Sequence, residues 1–438
     1  MTTNTATQPP VIIVGGGLTG LAAAAILARA GHAVTLFEKA SAPGGLAMTK
    51  QHGNFSFNLG AHALYLHGPS EKLLNELSVP YSGSIPVTDK YQAFNDGKLH
   101  ALPSTIPSLL GTTLLTASAK SALMRLYSIL KYTKLTDLHN VSLQDWLEQR
   151  VHHPQVRQLM LAVARLTTYT NAPEMVATGL IIPLLNTRVR YLDGGWQTLV
   201  DGLRQVAQKA GAEIVTNARV AAIEIAEERH AVRMANGECH SAAAVLLATD
   251  PETASALVAN GTHEALSRWA AQSTPARVAC LDVALRRLPE PKNLFALGID
   301  RPLYYSVHSA WAKLAPEGGA LIHIMKYLRP DEPAEPESTH QELDAFLDRL
   351  QPGWREEVIA QYFLPHMVAS NAIIQAGQGG LPGRPGPTVP DIRNLYVAGD
   401  WVGTEGQLSD ACFASARSAA SMIMTTLAAQ RNNYAMVD

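Results

Sequence analysis

A glycine-rich turn near the start of the sequence carries the residue types that bind a dinucleotide. Residues 15–20 read GGGLTG and follow the apolar run Val11–Val14. Between a strand and a helix, Gly15 permits a tight turn, Gly17 lets the backbone approach a pyrophosphate, and Gly20 allows close packing of the helix on the sheet. The N-terminus of that helix supplies free N–H groups and a positive dipole end for the phosphates. The pattern therefore predicts a dinucleotide-binding turn.

An acidic residue stands where such a turn needs one. Glu38 closes a second apolar run, 33–37, and comes 18 residues after Gly20. A carboxylate at that place accepts hydrogen bonds from ribose hydroxyls and disfavours a 2′-phosphate. The bound nucleotide is therefore expected to be FAD or NAD and not NADP.

Two further segments add polar groups to the same site. Residues 43–46 read PGGL, and residues 394–400 read NLYVAGD, followed by GQLSDA at 406–411. A strand that ends in Gly-Asp places the Asp400 carboxylate against a ribityl or pyrophosphate hydroxyl. A helix that begins near Ser409 directs free N–H groups at an electron-rich ring oxygen.

With these motifs the sequence resembles the flavin amine oxidase superfamily, and most of all its phytoene desaturase-like and protoporphyrinogen oxidase-like FAD oxidoreductases. The resemblance extends to the middle of the chain, where residues 192–199 read LDGGWQTL and look like the family's GG-x-x-x-L helix. It implies that Val220 meets the adenine through its backbone. It also implies that the segment 60–62, GAH, runs beside the flavin.

The motifs and the resemblance together define the expected site. The cofactor contacts are Gly15, Gly17, Leu18, Thr19, Gly20, Glu38, Lys39, Gly44, Gly45, Leu46, Gly60, Ala61, His62, Val220, Thr249, Gly399, Asp400, Gln407, Leu408 and Ser409. The catalytic candidates are His62 and Tyr305, although packed tyrosines and hydrogen-bonded core histidines are commoner. No metal is expected, because His152 and His153 lack further ligands at metal-binding spacing.

The sequence departs from the family pattern at informative positions. Leu46 stands where the family often has an arginine, and Ala416 replaces the glycine of a usual Ser-Gly pair. Ala279 falls where amine-oxidising members tend to carry a lysine beside the flavin, which disfavours an amine oxidase. Cys412 lies inside the last helix and matches no attachment position, so FAD is expected to be non-covalent.

The resemblance implies an FAD-dependent oxidoreductase that transfers a hydride between an apolar substrate, isoprenoid- or tetrapyrrole-like, and flavin N5. Because the sequence has one dinucleotide fingerprint, two alternatives are open: the reduced flavin is reoxidised by O2, a quinone or another carrier, or the reaction needs no reoxidation. An amine or amino-acid oxidase is the alternative enzyme. The non-enzymatic alternative is an escort protein of the same architecture, which binds its partners without flavin.

Composition narrows the class of protein. The 438 residues are 47 % hydrophobic and 16 % charged with a formal net charge of -2, which excludes a disordered chain and an overall affinity for nucleic acid. The three cysteines lie far apart, which disfavours a zinc ribbon or disulfide scaffold. The apolar run 11–28 holds four glycines with no preceding Lys or Arg, so we interpret it as strand, turn and buried helix. No transmembrane helix and a cytoplasmic protein are expected.

The order of predicted elements favours an α/β fold with a discontinuous, Rossmann-like FAD-binding domain and a mixed, helix-rich substrate domain. The first comprises 10–66, 190–260 and 390–430, and the second 67–189 and 261–389. Strands are predicted at 11–14, 33–37, 212–216, 220–226, 231–234, 245–249, 277–285, 320–327 and 395–398, and a hairpin at 55–66. Helices are predicted at 18–30, 71–77, 118–130, 142–148, 154–166, 339–350 and 409–429, with 70–190 mainly helical.

One predicted helix has the character of a membrane-surface helix. Residues 97–136 contain five Lys or Arg and no acid, and Leu123, Leu126, Tyr127 and Leu130 form an apolar stripe with cations beside it. Such a stripe rests on an anionic bilayer or faces a protein core. The sequence allows two interpretations of this helix: peripheral contact with a membrane, or packing of its stripe against the core of a domain.

Overall fold

The computed structural model describes residues 9–185, 187–227 and 229–435, which form twelve α-helices and twenty strands. The helices are α1 (Leu18–Arg29), α2 (Pro69–Glu76), α3 (Ile106–Gly111), α4 (Ala117–Tyr132), α5 (Leu143–Arg150), α6 (Pro154–Thr168), α7 (Thr178–Leu184), α8 (Gln197–Lys209), α9 (Pro251–Leu257), α10 (Glu264–Gln272), α11 (Pro336–Leu350) and α12 (Leu408–Ala435). The strands are β1 (Val11–Val14), β2 (Val34–Phe37), β3 (Lys50–His52), β4 (Phe55–Phe57), β5 (Leu64–Tyr65), β6 (Gly83–Ser84), β7 (Gln92–Asn95), β8 (Lys98–Ala101), β9 (Val189–Leu192), β10 (Glu213–Val215), β11 (Val220–Glu224), β12 (His230–Met234), β13 (Cys239–Ala242), β14 (Ala244–Leu247), β15 (Ala276–Leu285), β16 (Phe295–Gly298), β17 (Leu303–Val307), β18 (Ala320–Tyr327), β19 (Val358–Ser370) and β20 (Leu395–Val397).

A five-stranded parallel sheet in the order β10-β2-β1-β14-β20 draws its strands from three separate parts of the chain. Its central strands β1 and β14 are buried at every position, as strands covered on both faces must be. Helices α1, α8 and α12 share a core on one face. The small sheet β11-β12-β13 and helix α9 share another core with the opposite face. The α/β character that the sequence predicts is confirmed.

A seven-stranded mixed sheet in the order β19-β15-β18-β17-β16-β7-β8 forms a second layer. Side chains alternate between its two faces because strand geometry has a period of two residues. Residues of α4, α5 and α6 share a core with one face, and α11 packs on the other. The face that packs against α4, α5 and α6 is called the inner face.

Most predicted elements have their structural counterpart within a few residues, and Ser142 caps α5 by accepting a hydrogen bond from the Asp145 N–H (3.1 Å). The hairpin at 55–66 is wrong. Strand β4 (Phe55–Phe57) pairs antiparallel with the preceding strand β3 across a turn at Gly53 (φ +55°), whereas β5 pairs with β9. The segment 70–190 is also less helical than expected, because β7 and β8 join the seven-stranded sheet.

The apolar stripe on α4 is a core feature. Leu123, Leu126 and Leu130 are buried against the inner-face core, whereas Tyr127 is 44 % exposed. Of the two alternatives that the sequence allows, the three leucines follow the packed domain helix and do not face a membrane. Within the described ranges, no helix combines the length and the apolar character that crossing a bilayer requires.

Two neighbouring residues on α4 test this assignment. Leu123 is fully buried and Met124 is half exposed. We expect Leu123→Ala to lower the free energy of unfolding by roughly 2–5 kcal/mol, because it leaves a cavity. Met124→Ala is expected to cost less than about 0.5 kcal/mol. Equal losses in denaturant unfolding would contradict the orientation of α4.

Candidate functional site

The glycine turn brings the start of α1 against the end of β1. Gly15 has φ +105°, and a Cβ there would lie 2.5 Å from the carbonyl oxygen of Ala248. A Cβ on Gly20 would lie 1.9 Å from the carbonyl oxygen of Gly15. A Cβ on Gly17 would meet nothing within 4 Å, and no side chain caps the helix there. The helix N-terminus is therefore left open for a ligand, with Leu18 and Thr19 in its first turn.

Glu38 is fixed beside this turn. Its carboxylate accepts hydrogen bonds from the N–H groups of Gly16 (2.7 Å) and Ala40 (2.8 Å), and its side chain is buried, whereas Lys39 is exposed. The Gly44 N–H donates to the Gly16 carbonyl oxygen (2.8 Å), which brings Gly44, Gly45 and the exposed Leu46 to the turn. A carboxylate, open N–H groups and a close backbone thus meet at one place.

Two other expected contacts lie around the same sheet. Val220 begins β11 and shares a core with Phe37, the last residue of β2. The Thr249 carbonyl oxygen accepts a hydrogen bond from the Trp401 Nε1–H (2.9 Å). Thr249 lies next to Gly15, since its methyl carbon would be 3.4 Å from a Cβ there.

The segment that ends β20 is held by α12 and by β19. The Gly399 N–H donates to the Ser415 hydroxyl (3.0 Å). The buried Asp400 carboxylate accepts hydrogen bonds from the Asn371 backbone N–H (2.8 Å) and the Ser370 hydroxyl (3.0 Å). A cavity lies there, lined by Thr168, Thr170, Val176, Leu180, Ala276, Ser370, Ala372, Ile373, Ile374, Asp400, Gln407 and Leu408. Ser409 follows on the first turn of α12.

Arg384 is a site residue that the sequence analysis missed. Its guanidinium donates to the carbonyl oxygens of Asp400 and Gly406, both at 2.8 Å, and burial lowers its pKa to about 10. Its buried Nε has no hydrogen-bond partner among the described residues. A lone arginine in a glycine- and proline-rich stretch gives no spacing signal, so only the fold associates it with Asp400.

His62 joins two of the expected cofactor segments. Its Nδ1 lies 3.0 Å from the Gly60 carbonyl oxygen and its Nε2 lies 3.0 Å from the Leu46 carbonyl oxygen. Burial lowers the pKa of His62. The adjacent Ala61 carbonyl oxygen accepts a hydrogen bond from the Tyr169 hydroxyl (3.1 Å).

Tyr305 lies apart from this group. It belongs to the core beneath α11, and its hydroxyl donates to the Asn293 carbonyl oxygen and accepts from the Gln351 amide, both at 2.8 Å. The neighbouring Tyr304 points to the inner face, where its hydroxyl is 3.3 Å from His308 Nε2. The geometry thus gives Tyr305 a structural role in place of the predicted catalytic one.

The register of β15 also corrects the comparison made at Ala279. Ala279 belongs to the core beneath α11, whereas Cys280 and Asp282 lie on the inner face beside the segment 60–62. Among the described residues, the atoms of Cys280, Asp282 and His323 are the one group with three close metal-ligand types. Hydrogen bonds join Cys280 and His323 to Asp282 within this group. That the protein binds no metal stays a prediction.

Comparison with known proteins places this geometry in a family. The family model described as "Flavin containing amine oxidoreductase" matches residues 18–424. The chain belongs to this family. The resemblance seen in the motifs is thereby confirmed, and a flavin is the cofactor that the family implies.

Individual relatives are distant. A 4,4'-diapophytoene desaturase (4,4'-diaponeurosporene-forming) from Staphylococcus haemolyticus is 26 % identical over 254 residues, 49 % of this chain and 50 % of that protein. The chain thus matches about half the length of such curated relatives. An oxidoreductase from Methanosarcina mazei has a similar structure, with a TM-score of 0.75, 20 % identity and coverage of 93 % and 99 %. A putrescine oxidase bound to putrescine gives a TM-score of 0.74 at 16 % identity, with coverage of 95 % and 99 %. These structures show the fold.

Two glycines of the turn test whether it is built for packing or for a ligand. Gly20→Ala puts a Cβ 1.9 Å from backbone, so we expect a lower melting temperature or no folded protein. Gly17→Ala meets open space at a negative φ (-72°), so we expect the apoprotein to melt as the wild type does. Thermal unfolding followed by circular dichroism measures both, and a stable Gly20→Ala variant would contradict the close contact.

Proposed function

We propose that this chain is an FAD-dependent oxidoreductase with a discontinuous, Rossmann-like cofactor domain. The observation that supports it most is the meeting of the open helix N-terminus at Gly17 with the fixed Glu38 carboxylate. The five-stranded sheet has its strands in the chain order 3-2-1-4-5, the order typical of dinucleotide-binding domains. The domain comprises 10–66, 190–260 and 390–430, and 67–189 with 261–389 forms the substrate domain.

Each part of the site has a role in holding the cofactor. The turn residues 15–20 bind the pyrophosphate through N–H groups, and Glu38 accepts from ribose hydroxyls. Val220 and Thr249 lie at the adenine side, and Asp400 with Arg384 lies at the ribityl side. Residues 44–46, 60–62 and 407–409 surround the reactive end. When bound, the flavin supplies hydride transfer at N5.

Binding without a covalent bond is the form we propose. Cys412 lies on α12, and burial raises the pKa of its thiol to about 12, so it stays protonated and a weak nucleophile. The buried Cys280 thiol donates to Asp282 (3.1 Å), and burial raises its pKa well above the usual value. Cys239 is exposed on β13, outside the expected contacts.

The substrate we propose is an apolar molecule of isoprenoid or tetrapyrrole type that loses or regains a C–C double bond. The inner-face core consists mainly of aliphatic and aromatic side chains from α4, α6 and the large sheet. The desaturase relative points the same way. An amine substrate is the alternative that the putrescine oxidase fold keeps open, and the electron acceptor is O2 or a quinone.

Purified protein tests the function directly. We expect the visible absorption bands of oxidised flavin in the wild type, released in full by acid or heat because the flavin is not covalently bound. Anaerobic addition of a polyene or tetrapyrrole is expected to bleach those bands, and an amine is not. Bleaching by amines alone would make the amine oxidase the better proposal.

Gly17→Ala tests the binding of FAD separately from the stability of the fold. It keeps the fold but obstructs the approach of the pyrophosphate, so its FAD affinity is expected to fall at least tenfold in equilibrium titration. A colourless wild type with no affinity for FAD would reject the oxidoreductase and favour an escort protein.

We further propose that the outer side of α3 and α4 touches an anionic membrane. Ile106 and Leu110 are 69 % and 70 % exposed, and Tyr132 is 80 % exposed. The cations of this acid-free region are Lys98, Lys120, Arg125, Lys131 and Lys134. Exposed apolar side chains with flanking lysines are typical of a surface that rests on anionic lipid.

Vesicle sedimentation tests the membrane contact. We expect the protein to sediment with phosphatidylserine-containing vesicles at low salt, and Ile106→Asp with Leu110→Asp to reduce the bound fraction several-fold. Ile225→Asp, at a position 42 % exposed on the β11 side of the molecule, is the control and should bind as the wild type does. Failure of the wild type to sediment, or equal loss in the control, would contradict the contact.

A further inference from the structure

A polar row crosses the inner face of the seven-stranded sheet, where its surroundings are apolar. Asp282 on β15, His323 on β18 and Ser306 on β17 are paired in register across the three strands. All three are fully buried. Burying such groups costs free energy unless hydrogen bonds offset it, so a row of this kind calls for a reason.

Three donors converge on the Asp282 carboxylate. His323 Nδ1 lies 2.6 Å from Oδ1, the Cys280 thiol donates to the same oxygen (3.1 Å), and the Gly60 N–H donates to Oδ2 (2.9 Å). Burial alone would raise the pKa of Asp282, but His323, Cys280 and Gly60 together lower it. Asp282 is therefore a buried carboxylate that stays ionised.

Gly60, at one end of this network, lies in a turn whose backbone conformation is unfavourable for a residue with a side chain. Leu59 has φ +56° and Gly60 has φ +114°. Such conformations persist where surrounding contacts hold them. The side-chain Oδ1 of the preceding Asn58 accepts hydrogen bonds from the Thr49 hydroxyl (2.9 Å) and the Trp196 backbone N–H (3.0 Å). Asp282 supplies the charged anchor.

From that turn the chain reaches the other cofactor segment. His62 contacts the Leu46 carbonyl oxygen, so the network runs from β15 through Gly60 and His62 to the glycine pair at 44–45. A shift of the Gly60 N–H would therefore move both segments that surround the reactive end of the proposed cofactor.

We propose that Asp282, with His323 as its partner, is a positioning residue for the flavin that fixes the segment 60–62 against the reactive end of the cofactor. This inference rests on the proposed function. A buried charge beside the bound flavin would also act on it, since interactions are weakly screened in a dry interior. A fixed anion there would disfavour the additional negative charge of the reduced cofactor.

The chemistry of the anchor requires a carboxylate. The site offers three donors, from Gly60, His323 and Cys280, and a carboxylate is an acceptor only. An asparagine of the same shape would turn an NH2 group towards one of these donors and would remove the charge. Asp282→Asn therefore changes the hydrogen bonding and the electrostatics with little change in volume.

The test compares the flavin in wild type and Asp282→Asn. We expect Asp282→Asn to keep bound FAD, to shift its visible spectrum, and to raise its two-electron midpoint potential by about 30 mV, which corresponds to a tenfold change in the preference for reduced over oxidised flavin. The kcat with the substrate identified by bleaching is expected to fall about tenfold with KM within twofold.

Two further variants separate positioning from stability. Asp145→Asn makes the same change of charge at the cap of α5, where Asp145 accepts from the Ser142 hydroxyl, and should leave spectrum and potential as in the wild type. His323→Gln keeps the charge of Asp282 but removes its closest partner, so it should shift the spectrum with a smaller change in potential. It also provides the test if Asp282→Asn does not fold.

The outcomes are distinct. A wild type that binds no flavin rejects the proposed function itself. A yellow wild type whose Asp282→Asn and His323→Gln variants share its spectrum and potential, with only a lower melting temperature, overturns the positioning role and leaves Asp282 as a structural residue.

Discussion

The contact between α1 and β1 is the constraint on which the site depends. Gly20 lies so close to the Gly15 carbonyl that no side chain fits between helix and strand. This contact fixes the open N-terminus of α1 at the carboxyl end of the parallel sheet, where the ends of β2 and β14 bring Glu38 and Thr249. In such sheets ligands bind at this edge, because helix N-termini and loops converge there.

The last helix, α12, packs against the first helix, α1, in one core. The side chains of Ala416, Ala419 and Ala420 are fully buried in the core that α12 shares with α1. Small residues let the two helices approach closely, so the alanine at 416 in place of the family's glycine still allows the contact. The discontinuous arrangement of the chain follows from this packing, since the first and last segments build one layer.

The sequence predicts those parts of the molecule whose information is local. The strand–turn–helix unit, Glu38 and the Gly-Asp end of β20 are found where spacing and turn chemistry place them. Edge strand β19 was missed because Pro365 and its exposed residues interrupt the strand pattern, yet proline is tolerated at the edge of a sheet.

Faces of strands and distant pairs are harder to predict. An error of one residue in register turns every side chain of a strand to the other face. On β15, Ala279 faces the core beneath α11 and Cys280 faces the inner side. On β17, Tyr305 and Tyr304 are divided between the same two faces. Asp282 and His323 are 41 residues apart, and only the pairing of β15 with β18 brings them together. No local pattern marks them as partners.

The same polar row bears on the proposed choice between an apolar substrate and an amine. An ammonium group needs an acceptor that it can reach, whereas the Asp282 carboxylate is fully buried and receives three donors from the protein. Lys326, on the opposite side of β18, is paired with Glu332 and Glu342. Around the row lie Tyr191, stacked on His308 at 3.8 Å, and Tyr327, whose rings are buried. A buried charge that is already hydrogen-bonded and is surrounded by aromatic rings supports the proposal of a neutral, apolar substrate over an amine.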